Sequence, residues 1–130
     1  MTYRAEDFIH ITPARGPLGS IVPNSWVLDH PVSVTRHGVH AFTVPAGFKT
    51  DLASVPRPFW LITNGKTGRH QRGSVAHDWL CTTKIMSAKE AAKVFLDIMI
   101  QDGVPKWRAK SMYRAVLWFG PRFDGPDVSL

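Results

Sequence analysis

Between Val32 and Val44 apolar and polar residues alternate at the two-residue period of a strand with one face on a core. Val32-Ser33-Val34 and Val39-His40-Ala41-Phe42-Thr43-Val44 flank Arg36-His37-Gly38, whose glycine suits a tight turn, so a β-hairpin is predicted within Trp26 to Phe48. In its second strand His40, Phe42 and Val44 share a face. Phe42 and Val44 mark that face as the core side, and His40 is expected there in a structural rather than a catalytic role.

Further along, the period lengthens to that of a helix. Val75 and Trp79, and Ala76 and Leu80, stand four apart and predict a helix over about Gln71–Cys81. Ser87-Ala88-Lys89-Glu90 matches a capping box, and Ala91, Val94, Phe95, Ile98 and Met99 form the apolar stripe of a helix over Ala88–Gln101 that Gly103 ends. Pro105 suits the start of a third helix, with Ala109, Met112, Tyr113 and Val116 facing inward and Gly120 stopping it.

The change of period predicts an α+β fold, with a small antiparallel sheet in about 26–48 packed against three helices in about 71–120. Pro13, Gly16, Pro17, Gly19, Pro23 and Asn24 punctuate residues 1–25, so short elements at most, and an irregular N-terminal arm, are expected there. Residues 26–120 are read as one domain and 121–130 as an irregular tail. At 130 residues with 44% hydrophobic content, one core is affordable and two independent domains are not.

Charge adds an asymmetry. Of the Lys and Arg residues, five fall in 1–65 against four Asp and Glu, whereas eleven fall in 66–130 against six. Lys106, Lys110 and Arg114 repeat every four residues along the last predicted helix, beside Trp107 and Arg108, and form a basic stripe suited to an anionic partner. A nucleic-acid partner is compatible with that stripe, but no reader motif accompanies it, and a solvated face is the simpler reading. With only Cys81 present, an intramolecular disulfide and a thiolate metal cluster within the chain are excluded, and a reducing compartment fits best. No continuous apolar run in the first twenty residues suggests a signal peptide, and no segment has the length of a membrane span.

The chemistry-bearing residues are few. Gly65-Lys66-Thr67 lacks the earlier glycine of a phosphate-binding loop, Trp60 standing in its place. Cys81 follows His77 by four residues, the spacing of a thiol and a base on one helix face, although a buried inert cysteine is the commoner outcome. Adjacent His77 and Asp78 offer an imidazole and a carboxylate for metal binding or proton transfer, with Asp51, His70 or Asp97 as the third group. Thr50, Asp51, Ser54, His77 and Asp78 equally suit a structural polar network, because polar groups set among Phe48, Leu52, Val55, Trp79 and Leu80 need partners if buried.

The run Val44-Pro45-Ala46-Gly47-Phe48-Lys49-Thr50-Asp51-Leu52-Ala53-Ser54-Val55-Pro56-Arg57, followed by Ala76-His77-Asp78-Trp79-Leu80, resembles the signature of domain of unknown function family 1353. The resemblance runs from near Trp26 to Phe119-Gly120 and implies a phage or prophage setting, expression in the host cytoplasm, and a place in the virion as a further option. Such proteins usually carry an aromatic residue where Cys81 stands, and often an acidic residue where this chain has Ala92, which argues against a thiol nucleophile and against a full metal-ligand set here.

Two functions follow as expectations. The first is a phage accessory or virion-associated interaction protein, with a phage or host protein partner and with Thr50, Asp51, Ser54, His77 and Asp78 as structural ties. The alternative is a hydrolase using Asp51, His77 and Asp78 as acid and base or as ligands of a divalent metal. No cofactor or metal is expected on the first reading.

Overall fold

The computed structural model describes residues 2–50, 70–119 and 122–123, with residues 21–24 and 119 described through their backbone alone. Among them the fold is α+β: two antiparallel three-stranded sheets and three helices. The strands are β1 (Tyr3–Ala5), β2 (Ile11–Arg15), β3 (Ile21–Leu28), β4 (Val32–Arg36), β5 (Val39–Val44) and β6 (Lys49–Thr50), and the helices are α1 (Gln71–Thr83), α2 (Ala88–Gln101) and α3 (Lys106–Phe119). One sheet has the order β1-β4-β5 and the other β2-β3-β6.

The predicted hairpin is β4–β5. His37 and Gly38 both take positive φ, 54° and 77°, the pair of left-handed residues that a two-residue type I′ turn requires. Phe42 and Val44 are buried opposite Val34 and Val32 as expected. His40 is not on their face. The register slips between Val34 and Thr35, so that Val34 pairs Phe42 while Thr35 pairs His40. This bulge breaks the two-residue alternation and leaves His40 exposed, its Nε2 2.8 Å from the Thr43 hydroxyl, which lies 3.1 Å from Ser33 Oγ.

Residues 1–25 differ from an irregular arm, because β1, β2 and the start of β3 lie in them. Tyr3 and Ala5 are buried and pair with Arg36 and Val34 of β4, which makes the N-terminal segment part of the sheet that carries the core. The elements are short, as the prolines and glycines demand.

Helix α2 has the predicted bounds. Ser87 Oγ accepts the Glu90 N–H at 3.1 Å, and the first free donor of the helix, Ala88 N–H, is met by the Phe123 carbonyl at 2.8 Å. Gly103, at φ 89°, ends it, and the Val104 N–H returns to the Met99 carbonyl. Helix α2 is the centre of the molecule. Its Ala91, Val94 and Ile98 close a core with Tyr3, Leu28, Val32, Val34, Phe42 and Val44 of the strands and Val75, Ala76 and Leu80 of α1. Its other side, through Ala92, Phe95, Leu96 and Met99, joins Ala109, Met112 and Val116 of α3. Among the described residues no helix is long and apolar enough to cross a membrane.

Candidate functional site

The two sequence blocks that suggested a site meet through an aromatic contact. Phe48, just before β6, packs edge-on against Trp79 of α1, with ring centroids 5.2 Å apart. Thr50, two residues on, is buried and paired with Trp26 of β3. His77, on the same helix as Trp79, is 3% exposed, and Asp78 is half-buried. Asp51 and Ser54 lie outside the described residues.

Around His77 the environment is apolar on at least one side, with the Phe95 ring tilted against the imidazole at 5.6 Å. Burial holds its pKa down at about 4, so the ring is neutral near pH 7. Cys81 Sγ sits 3.7 and 3.8 Å from the two ring nitrogens, nearly equidistant, which is contact rather than a directed S–H···N bond. Burial first, and then Asp78, push the Cys81 thiol up to about 11, with Lys84 opposing. A neutral thiol beside a neutral imidazole is not the thiolate pair of a cysteine nucleophile.

A second polar system, unforeseen from the sequence, fastens β1 to α2. In register with β4, Tyr3 and Ala5 turn their backbone groups outward, away from that strand. The Tyr3 N–H donates to Asp97 Oδ2 at 3.0 Å, the Ala5 N–H donates to Gln101 Oε1 at 2.8 Å, and Gln101 Nε2 donates to the Ala5 carbonyl at 2.8 Å. Four helical residues rise about 6 Å and two strand residues about 6.8 Å, so side chains at i and i+4 of α2 match alternate residues of the strand. An exposed sheet edge is thereby closed by a helix. Asp97, one candidate for a third metal ligand, is occupied in this way, with Lys93 Nζ at 3.5 Å.

Glu90 completes the tie. Its carboxylate does not serve the capping box but accepts the Tyr3 hydroxyl at 2.7 Å, with Arg36 at 4.0 Å and the Arg36 guanidinium over the Tyr3 ring. Burial and this bond push the Tyr3 pKa to about 12. Nearby, Arg72 of α1 makes a two-pronged ion pair with Asp102 and donates to the Asp7 carbonyl at 2.7 Å. Tyr3, Ala5, Arg72, Asp97, Gln101 and Asp102 help to line a groove of about 800 Å³. Of its lining side chains, Arg72 and Asp102 are engaged with each other and Gln101 with Ala5.

The one signal in the sequence for this system was Asp97 itself, a carboxylate inside Val94-Phe95-Leu96-Asp97-Ile98-Met99-Ile100, where a buried charge demands partners. Among the described residues no three His, Cys, Asp or Glu side chains are grouped to hold a metal ion.

The residues of the basic stripe are on the surface. Lys106, Lys110 and Arg114 are exposed along α3, and Trp107 and Trp118 stand out beside them, 62% and 64% exposed.

Comparison with known proteins places this architecture. The family model "Protein of unknown function (DUF1353)" matches residues 26–116, from the end of β3 through most of α3. The chain belongs to that family. Among curated proteins it is similar to "Uncharacterized protein y4jT" of Sinorhizobium fredii, 43% identical over 79 residues, or 60% of this chain and 24% of the relative. It is also similar to "Uncharacterized protein y4iH" of the same organism, 38% identical over 78 residues, or 58% of this chain and 32% of the relative. The chain thus spans about a quarter to a third of the length of these relatives. No solved structure matches it. The match to the family begins after β1 and β2, so the Asp97 and Gln101 tie joins a segment outside the family's extent to a helix within it.

Proposed function

We propose that this member of the family is an interaction module that acts through the exposed face of α3 on an anionic partner. The observation that carries this reading is the combination of Lys106, Lys110 and Arg114 with two outward tryptophans on one helix whose opposite face is spent on α2. Tryptophan and arginine are the side chains most enriched where proteins bind through their surfaces. Supporting it, Glu90, Asp97, Gln101, Arg72 and Asp102 are engaged in ties between elements, and His77 is held neutral by burial. On this reading Thr50, Asp51, Ser54, His77 and Asp78 are likewise structural, and the phage or prophage setting that the family resemblance implies supports reading the module as a phage accessory or virion-associated protein.

A polyanion column tests the surface. Lys110→Glu with Arg114→Glu is expected to elute from heparin at clearly lower salt than Lys49→Glu with Lys89→Glu, which changes net charge equally at exposed sites elsewhere. Equal elution would show that net charge alone is felt and that α3 is no docking face. Calorimetric titration with zinc, manganese and magnesium tests the competing reading: tight one-to-one uptake abolished by His77→Ala would instead support a metal-dependent hydrolase built on Asp51, His77 and Asp78.

A further inference from the structure

On an ideal helix successive residues advance by about 100° and 1.5 Å, so Trp107 and Trp118, eleven residues apart, return to within about 20° of each other at a separation of roughly 16 Å. Measured from Trp107, Arg114 falls about 20° and Lys110 about 60° to the side away from Trp118. Trp107, Lys110, Arg114 and Trp118 thus occupy an arc of about 80°, and all four are exposed. The order along this ridge is tryptophan, cation, cation, tryptophan. From Gly103 to Phe123 the chain holds five Lys and Arg, namely Lys106, Arg108, Lys110, Arg114 and Arg122, and no Asp or Glu. The Arg108 guanidinium, outside the arc, lies 5.4 Å from the centre of the Trp107 ring and so also stays beside an exposed indole.

The shape of this face decides among anionic partners. Among the described residues α3 packs on α2 by one side, and its other side, which carries the exposed Trp107, Lys110, Arg114 and Trp118, has the outward curve of a helix surface. Single-stranded nucleic acid is held in a basic groove that tracks its backbone, and an acidic protein needs a hollow on its own surface for each indole. A second copy of the chain meeting this face with its own would oppose cation to cation. A flat, deformable surface touches all four side chains at once. Indoles prefer the level of lipid headgroups, where an apolar ring and a polar N–H are both accommodated, and Lys and Arg side chains reach the lipid phosphates.

We propose that α3 lies along an anionic lipid surface, with Trp107 and Trp118 as interfacial anchors and Lys110 and Arg114 on the phosphates. The proposal rests on the anionic-partner reading above and names that partner. It requires no membrane-spanning segment. The cytoplasmic leaflet, which carries a negative surface potential, is such a surface.

Co-sedimentation of the full chain with vesicles decides it. Binding is expected to phosphatidylcholine vesicles that contain phosphatidylglycerol, to weaken as salt is raised, and to be near zero on pure phosphatidylcholine. Each cation near such a surface is worth about a fivefold change in partition, so Lys110→Gln with Arg114→Gln should weaken binding roughly 25-fold. Trp107→Ala with Trp118→Ala should abolish measurable binding at an unchanged melting temperature, since both rings are largely outside the core. Undiminished vesicle binding by the tryptophan pair would overturn the proposal. So would failure of the folded wild-type chain to bind phosphatidylglycerol vesicles. If that chain then binds an oligothymidylate or polyglutamate through the same residues, the anionic-partner reading stands without lipid; if it binds none of the three probes, both fall.

Discussion

His77 is neutral in the folded chain because water is excluded from it, and this makes acid a specific threat to the fold. Its pKa falls from the ordinary 6.5 to about 4. The unfolded chain therefore binds the proton first, and the stability that His77 contributes is fully present above pH 6.5 and lost as pH falls from 6.5 through 4. At roughly 1.4 kcal/mol per unit the loss is a few kcal/mol, a large part of the stability of a domain this size. Following the imidazole carbon protons by NMR should show one histidine with a midpoint near 4, removed by His77→Gln. A His77 midpoint at or above 6.5 would contradict the burial argument. Cys81, raised in the opposite sense, should be modified only slowly by thiol reagents at neutral pH.

At the scale of elements, side chains make the connections that backbone ladders do not. Asp97→Ala and Gln101→Ala should each cost about 1–3 kcal/mol, because each leaves backbone groups of the buried β1 without partners. Hydrogen exchange should accelerate at the Tyr3 amide in the first variant and at the Ala5 amide in the second, and unchanged exchange would contradict the tie. Gly73 marks the contact of α1 with α2: a Cβ there would meet Phe95 Cδ1 at 3.0 Å and the Phe95 carbonyl at 3.2 Å. Alanine is worth up to about 1 kcal/mol over glycine within a helix, whereas overpacking costs about 1–3, so Gly73→Ala should lower the melting temperature. A raised one would show that the helices part easily. Legibility from sequence follows the same division. The bounds of α2 and the turn at His37-Gly38 were readable because caps and turns are local. The face of His40 was misread because a one-residue bulge reverses parity, and β1 was missed because a three-residue strand has no period and is held by residues more than ninety positions away. The expected meeting of Thr50, Asp51, Ser54, His77 and Asp78 turns on Asp51 and Ser54, which lie outside the described residues.

Over the whole molecule the charge asymmetry and the fold point the same way. The C-terminal half carries the basic surplus, and α3, on the side of α2 turned from the strands and α1, displays much of it beside two exposed indoles. The polar groups described around β1, α1 and α2 are directed at one another, which suits a scaffold that works through its surface. That claim is tested most directly by hydroxyl-radical footprinting of the full chain with and without phosphatidylglycerol vesicles, read at its individual tryptophans. Oxidation of Trp107 and Trp118 should fall markedly when vesicles are added, while that of Trp26 and Trp79 stays the same. Protection of Trp79, beside His77 and Asp78, with Trp107 and Trp118 unchanged would contradict the account and place the binding surface on α1.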